Sequence, residues 1–515
     1  MAADEHLDRG LILVACTVVL GAIMAVLDVT VVNVAISTLA QDFETDLATI
    51  QWVATGYTLA LATVIPLTGW AADRFGTKRL YLISIALFVA GSVLSGLAWS
   101  AESLIAFRVL QGLGGGMIMP AGMTILTRAA GTQRMGRVMA IIGVPVLLGP
   151  VMGPILGGWL VENATWRWIF FINLPIGLAA LMLASHVLPR DEPQADHALD
   201  WLGLALLSPG LAAVIYGLAE STSAGGFGTD RVLVPVLIGS ALLAFFLIHS
   251  LRAPTPLVDL RLFLHRTFAV ASATIALVAV AAFGGMLLLP LYLQVVRGES
   301  ALDTGLLLAP QGLGAMLVMP LAGRLSDRTG VGRIVPVGLV LIAFSFFGLT
   351  GVTEATEYSV LAAILFLQGM GLGAAMMPLF SGAMQTLRKA AMARASTSLN
   401  IIQQVGASVG TAVMSVLLIN ALIARLPTEG AGSGAGAGFG EQLPDAARDR
   451  WAPQMAEAFA ATFWVALALV GVALLASLLL PKRKPDPVED PEAPLSSAPL
   501  HAGAVRGEPQ GSAHW

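Results

Sequence analysis

The sequence PLTGWAADRFG at residues 66–76 decides the fold, because it recurs 254 residues later as PLAGRLSDRTG at residues 320–330. A second match, at an offset of 257 residues, joins LQGLG at 110–114 to LQGMG at 367–371. Independent matches at nearly one offset indicate an internal duplication. The sequence therefore predicts two homologous halves, each built around the same short pattern.

Composition decides what kind of protein carries these halves. The 515 residues are 57% hydrophobic and only 12% charged, with a mean hydropathy of +0.81. Such a chain is typical of a protein that crosses the membrane many times. The net charge of −4 and the lack of a basic tract argue against nucleic acid as a partner.

About twenty consecutive apolar residues make one membrane-spanning helix. Fourteen segments meet this requirement: 11–36, 48–71, 79–99, 103–127, 137–160, 168–188, 201–220, 232–250, 268–296, 303–323, 333–352, 358–381, 396–423 and 457–480. We number these predicted spans from one to fourteen.

The duplication divides the fourteen spans into an all-α architecture of two six-helix bundles with two helices inserted between them. We predict an N-terminal bundle at 1–190, the inserted helices at 191–255, a C-terminal bundle at 256–480 and a tail at 481–515. Two homologous bundles with a site between them is the design of alternating-access transporters.

Most lysines and arginines fall into cytoplasmic loops if both termini are cytoplasmic, and this distribution predicts the orientation in the cytoplasmic membrane. The Gly/Ala-rich loop from Pro427 to Arg450 is then expected to be mobile on the outer side. The tail from Pro481 is rich in Pro, Glu and Ser and is expected to be disordered in the cytoplasm.

Two ionisable residues lie clearly within the predicted spans, Asp28 in the first and Arg108 in the fourth. A lone charge in the membrane costs several kcal/mol, so each requires a partner, water or a function. A purely structural ion pair, or an arginine that reaches the outer interface, is the alternative. The second half has no charge at either corresponding position, so the architecture does not demand them. We favour Asp28 as a protonatable carboxylate, with Arg108 tuning its pKa or carrying the coupling.

The loop between the second and third spans carries a repeated pattern of glycines and charges. A basic loop that only sets topology is the alternative, but it does not explain why the Gly-x-x-x-Asp-Arg-x-Gly spacing recurs in the second half. We interpret the loop as a conformational latch between the bundles, formed by Gly69, Asp73, Arg74, Gly76, Lys78 and Arg79.

The fifth span contains GPVMGPILGG at residues 149–158, in which small residues recur every fourth position on one helical face. A tight packing seam is the simple interpretation. The two prolines favour a bendable seam, because each removes a backbone donor. In the second half Gly406 and Gly410 replace the first two glycines, whereas Ala407 and Thr411 replace the prolines. The predicted motif residues are Gly149, Pro150, Gly153, Pro154, Gly157 and Gly158.

Several polar residues could line a cavity between the bundles. They are Asn33, Gln111, Asn400, Gln403 and Gln404. Those of the thirteenth span share one helical face, and hydrogen bonding between helices explains that face nearly as well. His186 and His249 are isolated in sequence, so a membrane enzyme with a metal site is disfavoured, and we predict no metal and no cofactor. No ring of charges or carbonyl filter indicates a channel.

Taken together, these motifs resemble a known family. The pattern from Gly69 to Arg79 resembles the loop signature of the major facilitator superfamily. Stretches 27–35, 108–112 and 149–158 resemble its drug-exporter signatures. Its fourteen-helix drug:proton antiporter branch is similar at 166–175, 289–294 and 398–404.

The resemblance implies a proton-driven antiporter that exports amphipathic or lipophilic molecules, with Asp28 and Arg108 in proton coupling and the 149–158 run as an antiporter motif. Export of an endogenous metabolite or lipid by the same fold is the alternative. The implied partners are a hydrophobic or cationic drug, protons and membrane lipid. We expect a monomer that is not an enzyme and is driven by the proton gradient. An adaptor protein outside the membrane is compatible with this function.

Overall fold

The computed structural model describes residues 9–45, 47–130, 143, 149, 152–153, 155–161, 163–189, 198–223, 227–254, 256–385, 387, 391–426 and 445–482. Within these residues all regular structure is helical. The high apolar content explains this, since a chain in lipid must satisfy its backbone groups internally and a helix does so within one segment.

The first half contains eight helices among the described residues. They are α1 (Arg9–Val34), α2 (Ile36–Asp42), α3 (Leu47–Val64), α4 (Leu67–Phe75), α5 (Thr77–Gly96), α6 (Ala101–Ala130), α7 (Trp168–Phe171) and α8 (Asn173–Val187). The described residues between 152 and 163 are also helical and belong to the predicted fifth span.

The inserted helices are α9 (Trp201–Ser223) and α10 (Asp230–Arg252). A short 3₁₀ turn, Leu260–Leu264, leads into the second half. There follow α11 (Arg266–Leu291) with a π-helical turn at Tyr292–Val296, α12 (Ala301–Thr329), α13 (Val331–Leu349), α14 (Tyr358–Met384), α15 (Met392–Arg425) and α16 (Asp445–Ser477).

Twelve helices are long and apolar enough to cross a membrane, and the bent pair α3–α4 makes a thirteenth span. These match thirteen of the fourteen predicted spans, and most of the remaining one, 137–160, lies outside the described residues. The span predicted at 48–71 is bent, because α3 and α4 meet at 56°. Pro66 lies at this bend and has no N–H to continue the helical hydrogen bonds.

The predicted outer loop at 427–450 was too long. Helix α16 begins at Asp445, so the last residues of that segment are helical rather than loop. The rest of the predicted loop, 427–444, and the predicted tail beyond Lys482 lie outside the described residues. The domain boundaries at residues 190, 255 and 480 stay a prediction.

Two groups of helices pack closely among themselves. In the first half α6 packs against α1, α3 and α5, and α8 packs against α1 and α5. In the second half α14 packs against α12 and α13, and α11 packs against α15 and α16. The groups meet where α15 contacts α4 and α6. We call these groups the N-bundle and the C-bundle.

The inserted helix α9 crosses the seam between the bundles. It packs against α3 of the N-bundle and α15 of the C-bundle, while α10 packs mainly on α9. The Ser208 hydroxyl donates to the Thr63 carbonyl at 2.6 Å, and Tyr216 stacks on Trp52. Toward the C-bundle, Val214 and Leu218 form an apolar cluster with Ala412.

Candidate functional site

The structure brings the two predicted membrane charges into direct contact inside the N-bundle. Arg108 Nη1 of α6 donates to Asp28 Oδ2 of α1 at 2.5 Å. Gln111, one turn further along α6, donates from Nε2 to Asp28 Oδ1 at 2.7 Å and accepts from Arg108 Nη1 at 2.8 Å. The exposed fractions of these residues are 2% for Asp28, 1% for Arg108 and 0% for Gln111. Gln111, predicted to line a cavity, is therefore part of a buried polar cluster.

Two further residues complete this cluster, and the sequence analysis assigned them no role. Asn173, the first residue of α8, donates from Nδ2 to Asp28 Oδ1 at 3.1 Å and to Ser92 Oγ at 3.0 Å. Ser92 of α5 donates in turn to the Phe170 carbonyl at 2.9 Å. Residues of α6 and α8 thus bind the carboxylate on α1 directly, and α5 joins the cluster through Asn173. Only the position of Asn173 in a family-like stretch could have drawn attention to it.

Arg108 has contacts beyond Asp28 that hold its side chain in place. Its Nε donates to the Val53 carbonyl of α3 at 3.2 Å, and its Cζ lies 4.1 Å from the centre of the Tyr57 ring. The guanidinium is thus held by a carboxylate, a carbonyl and an aromatic face, which are partners that suit arginine. The Tyr57 hydroxyl is buried without a hydrogen-bond partner among the described residues.

Small residues on α6 explain how Arg108 comes so close to α3. A Cβ added at Gly112 would lie 2.5 Å from the Tyr57 carbonyl, and one added at Gly115 would lie 2.6 Å from the Tyr57 hydroxyl. No larger residue fits at these contacts without displacing α3. The Gln-Gly pattern at 111–112 therefore combines a polar ligand of Asp28 with the helix contact that positions it.

The glycines of the 149–158 run face α1 around Asp28. A methyl group at Gly149 would collide with Val26 and one at Gly153 with Thr30, while one at Gly157 would lie 3.1 Å from the Val31 carbonyl. The Thr30 hydroxyl also lies 3.3 Å from the Gly149 carbonyl. Gly158 has open space within 4 Å of an added Cβ. Pro150 and Pro154 lie outside the described residues.

Two of the predicted latch residues lie where the two bundles meet. Asp73 is 3.5 Å from Arg128 of the N-bundle and 3.9 Å from Arg394 of the C-bundle. A Cβ at Gly69 would lie 3.1 Å from the Thr397 hydroxyl on α15. Gly69 and Asp73 therefore belong to a contact that joins the bundles.

The remaining latch residues stay within the N-bundle or at its surface. Gly76 has φ +85°, in the region that favours glycine, and ends α4. Lys78 donates to the Ser185 and Leu188 carbonyls, both at 2.7 Å, and so satisfies the end of α8. The side chains of Arg74 and Arg79 are exposed.

The other predicted cavity residues lie on α15 and α1. The Asn400 amide donates to the Ser396 carbonyl at 2.8 Å, and this bond stays within α15. Gln403 and Gln404 are half-buried on the same helix. Asn33 lies near the end of α1, and its side chain is outside the described part of the chain.

One histidine that is isolated in sequence has a partner in space. His249 Nε2 of α10 lies 2.7 Å from Asp200 Oδ1, and Asp200 also accepts from the Gly203 amide at the start of α9. A small pocket beside Asp200 is bordered by Trp70, Asp73 and Arg394. The inserted helices thus adjoin the latch.

Comparison with known proteins agrees with this architecture. A family model described as Major Facilitator Superfamily matches residues 18–411. The chain is 46% identical to the Multidrug resistance protein B homolog of Mycobacterium tuberculosis, over 96% of this chain and 94% of that protein. It is 31% identical to the Multidrug export protein EmrB of Escherichia coli K12, over 80% of each.

Two solved structures share the fold at low sequence identity. The proton:xylose symporter XylE superposes with a TM-score of 0.58 at 14% identity, covering 90% of this chain and 94% of that one. The human organic anion transporter MFSD10 superposes with a TM-score of 0.57 at 15% identity, covering 90% of this chain and 100% of the other.

Proposed function

The chain belongs to the major facilitator superfamily, and we propose that it is a proton-driven antiporter that exports amphipathic or lipophilic small molecules, drugs among them. It is a multi-pass membrane transporter and not an enzyme. The names of its relatives support drugs as substrates. Thirteen described spans and a fourteenth predicted at 137–160 support the fourteen-helix drug:proton branch.

The buried carboxylate of Asp28 carries this proposal. Arg108, Gln111 and Asn173 all donate to it, and 2% of the residue is exposed. A buried ion pair is weak evidence for stability, because desolvating both charges offsets their attraction. A charge kept at that cost within a transporter is a functional site by default. Proton binding is the chemistry that a lone carboxylate in such a site provides.

Protonation would change the contacts of Arg108. A neutral carboxyl group still accepts a hydrogen bond, but it no longer forms an ion pair with Arg108, so the bond to Arg108 Nη1 becomes weaker. Arg108 keeps the Val53 carbonyl, the Gln111 carbonyl and the Tyr57 ring, and Gln111 Nε2 still donates to the carboxyl group. One proton thus weakens the connection between α1 and α6 at this level.

Movement of α1 would reach the C-bundle through the fifth span. Gly149, Gly153 and Gly157 pack on α1 at Val26, Thr30 and Val31. At Gly143 an added Cβ would collide with Met319 of α12 and lie 2.8 Å from Met377 of α14. The described residues of the fifth span therefore contact both the helix that carries Asp28 and the opposite bundle.

The two bundles touch at the end of the molecule that carries the latch. Besides the Asp73–Arg394 pair, Ser396 Oγ of α15 lies 3.2 Å from the Pro120 carbonyl of α6. With both termini cytoplasmic, as the positive loops favour, this conformation is closed to the cytoplasm. In the proposed cycle an outside proton binds Asp28 in this state, and the bundles then rock open toward the cytoplasm. We further propose that a monomer in the cytoplasmic membrane is sufficient.

Everted membrane vesicles test this function directly. A respiration-driven pH gradient is established, and a panel of lipophilic cations and neutral antibiotics is added while a fluorescent dye reports lumenal pH. We expect substrates to dissipate the gradient in vesicles with the wild-type protein and not in vesicles with Asp28→Asn. The matched control is Asp230→Asn, which neutralises an exposed carboxylate at the start of α10 and should behave as wild type.

Two outcomes would contradict the proposal in different ways. If Asp28→Asn dissipates the gradient as well as the wild-type protein does, at equal protein levels in the membrane, Asp28 has no role in proton coupling. If no compound of the panel dissipates the gradient but an endogenous lipid or metabolite extract does, the protein is an antiporter of endogenous compounds and not of drugs.

A further inference from the structure

Asn173 is placed where it contacts the proposed proton site directly. It is the first residue of α8, its exposed fraction is 1%, and its Nδ2 lies 3.1 Å from Asp28 Oδ1. The same nitrogen lies 3.0 Å from Ser92 Oγ on α5. One amide group therefore joins α8 to the helix that carries Asp28 and to a third helix.

The hydrogen-bond network fixes which way this amide points. Ser92 has one hydroxyl proton and donates it to the Phe170 carbonyl at 2.9 Å. Toward Asn173 the Ser92 oxygen is then an acceptor, so the side of Asn173 that faces it carries the N–H groups. The second N–H of the same nitrogen is directed at Asp28. Ser92 and Phe170 thus hold Asn173 as a donor to the carboxylate.

Helix capping does not explain the asparagine. Asparagine is common near helix starts because its side chain accepts from the first backbone amides. The N-cap of α8 is Ile172, and it has no side-chain cap. The described bonds of Asn173 go instead to Asp28 and Ser92. A residue needed only to join α8 to α5 would not require the second bond.

We propose that Asn173, anchored by Ser92, is a positioning residue that sets the pH at which Asp28 takes up its proton; this rests on the proposed function. Asp28 is otherwise faced by Arg108 and Gln111 from α6, with the Tyr57 ring of α3 behind the guanidinium. Arg108 is the charged group and Tyr57 the other titratable group in this set. A fixed donor stabilises the charged carboxylate more than the neutral acid. Without it, proton uptake occurs at higher pH.

Substrate-induced proton release measures this pH. Purified full-length protein in weakly buffered detergent receives tetraphenylphosphonium as probe, and the protons released are recorded across the pH range in which carboxylates and histidines titrate. We expect Asn173→Leu, of similar size but without a donor, to move the midpoint of release upward by about one to two pH units. The number of protons released per protein stays as in wild type.

Variants at Ser92 and Asn163 complete the design. Ser92→Ala keeps the amide but removes its anchor, and we expect a smaller shift in the same direction. Asn163→Leu is the matched control, because this exposed asparagine bonds to the Trp159 carbonyl far from the cluster. Its midpoint should equal that of wild type.

The outcomes are distinguishable. An unmoved midpoint in Asn173→Leu overturns the role of Asn173. If that variant does not purify, an unmoved midpoint in Ser92→Ala overturns it. No release from the wild-type protein, when tetraphenylphosphonium has dissipated the gradient in the vesicles, rejects the proposed proton coupling instead, and so does release that persists in Asp28→Asn.

Discussion

The N-bundle and the C-bundle are built on one pattern and differ where the charges lie. Gly76 and Gly330 have φ +85° and +90°, and each ends a helix in the same way. An added Cβ would meet the α3 backbone at Gly112 and the α12 backbone at the corresponding Gly369. Backbone geometry and helix contacts are therefore shared.

The polar interiors are not shared. Gln111 binds Asp28 and Arg108, whereas the corresponding Gln368 accepts from Gln311 at 3.1 Å. At the offsets of the repeat, Asp28 corresponds to Ala282 and Arg108 to Leu365, and both are buried. The C-bundle demonstrates that this arrangement of helices packs without the charges. Their presence in the N-bundle therefore calls for another reason, and proton coupling is the one we propose.

The largest expected effect comes from giving the N-bundle the residues of the C-bundle. Asp28→Ala alone leaves Arg108 buried without its partner and should lower the free energy of unfolding by about 3 to 5 kcal/mol. Adding Arg108→Leu should restore most of that loss while coupling stays about 100-fold below wild type. Thermal unfolding in detergent and proton release measure the two effects. A double variant that is still as unstable as Asp28→Ala would show that the fold needs the pair.

The shared helix contacts should respond alike in both bundles. Gly112→Ala and Gly369→Ala each force a methyl group against a neighbouring backbone, and each should cost about 1 to 3 kcal/mol in thermal unfolding. Gly158→Ala is the control, because an added Cβ there meets nothing within 4 Å. If only one of the two variants is destabilised, the bundles are less alike than their backbones indicate.

The two corresponding glutamines should respond differently. Gln111→Leu removes a donor from Asp28 and should lower proton-coupled transport about tenfold, since a hydrogen bond to a charged group contributes about 1.5 to 3 kcal/mol. Replacing both Gln311 and Gln368 with leucine leaves no polar partner unpaired, and transport should change less than about twofold. Equal losses would mean that the C-bundle pair also takes part in transport.

The smallest effect is expected at the contact between the bundles. Asp73→Asn weakens its partly screened pairs with Arg128 and Arg394, a loss of about 1 kcal/mol that shifts the conformational population about fivefold. In a Cys16→Ser background, the alkylation rate of Thr397→Cys from the cytoplasmic side reports this opening, because Thr397 is buried in the closed contact. The control variant Asp230→Asn should leave the alkylation rate unchanged. An unchanged alkylation rate in Asp73→Asn would exclude Asp73 as a latch residue.

The sequence was sufficient for much of this fold because hydrophobic length and the repeat are local signals. It placed the spanning helices, and it singled out Asp28 and Arg108 because a charged side chain within the membrane is energetically unfavourable. The bend at Pro66 was not predicted, because a proline in the sequence does not by itself indicate a bend. The corresponding Pro320 lies inside the continuous helix α12. A proline thus gives no bend by itself; the neighbouring helices decide whether one forms.

The composition of the polar cluster could not be predicted in the same way. Asn173 is 145 residues from Asp28 in sequence, and Ser92 is 81 residues from Asn173. Their convergence depends on how α1, α5 and α8 pack, and no periodicity within one helix encodes that. Gln111 was predicted to line a cavity, whereas its amide and the Arg108 guanidinium, on the same face of α6, both bind Asp28.

Helix α9 has a kinetic consequence. It is bonded to α3 through Ser208 and packed on α15 through Val214 and Leu218. Any rocking of one bundle against the other must shear one of these two surfaces on every cycle. We therefore expect α9 to slow turnover by raising the barrier between the states. Weaker contacts of α9 with the bundles would therefore raise the turnover rate and leave the substrate affinity unchanged.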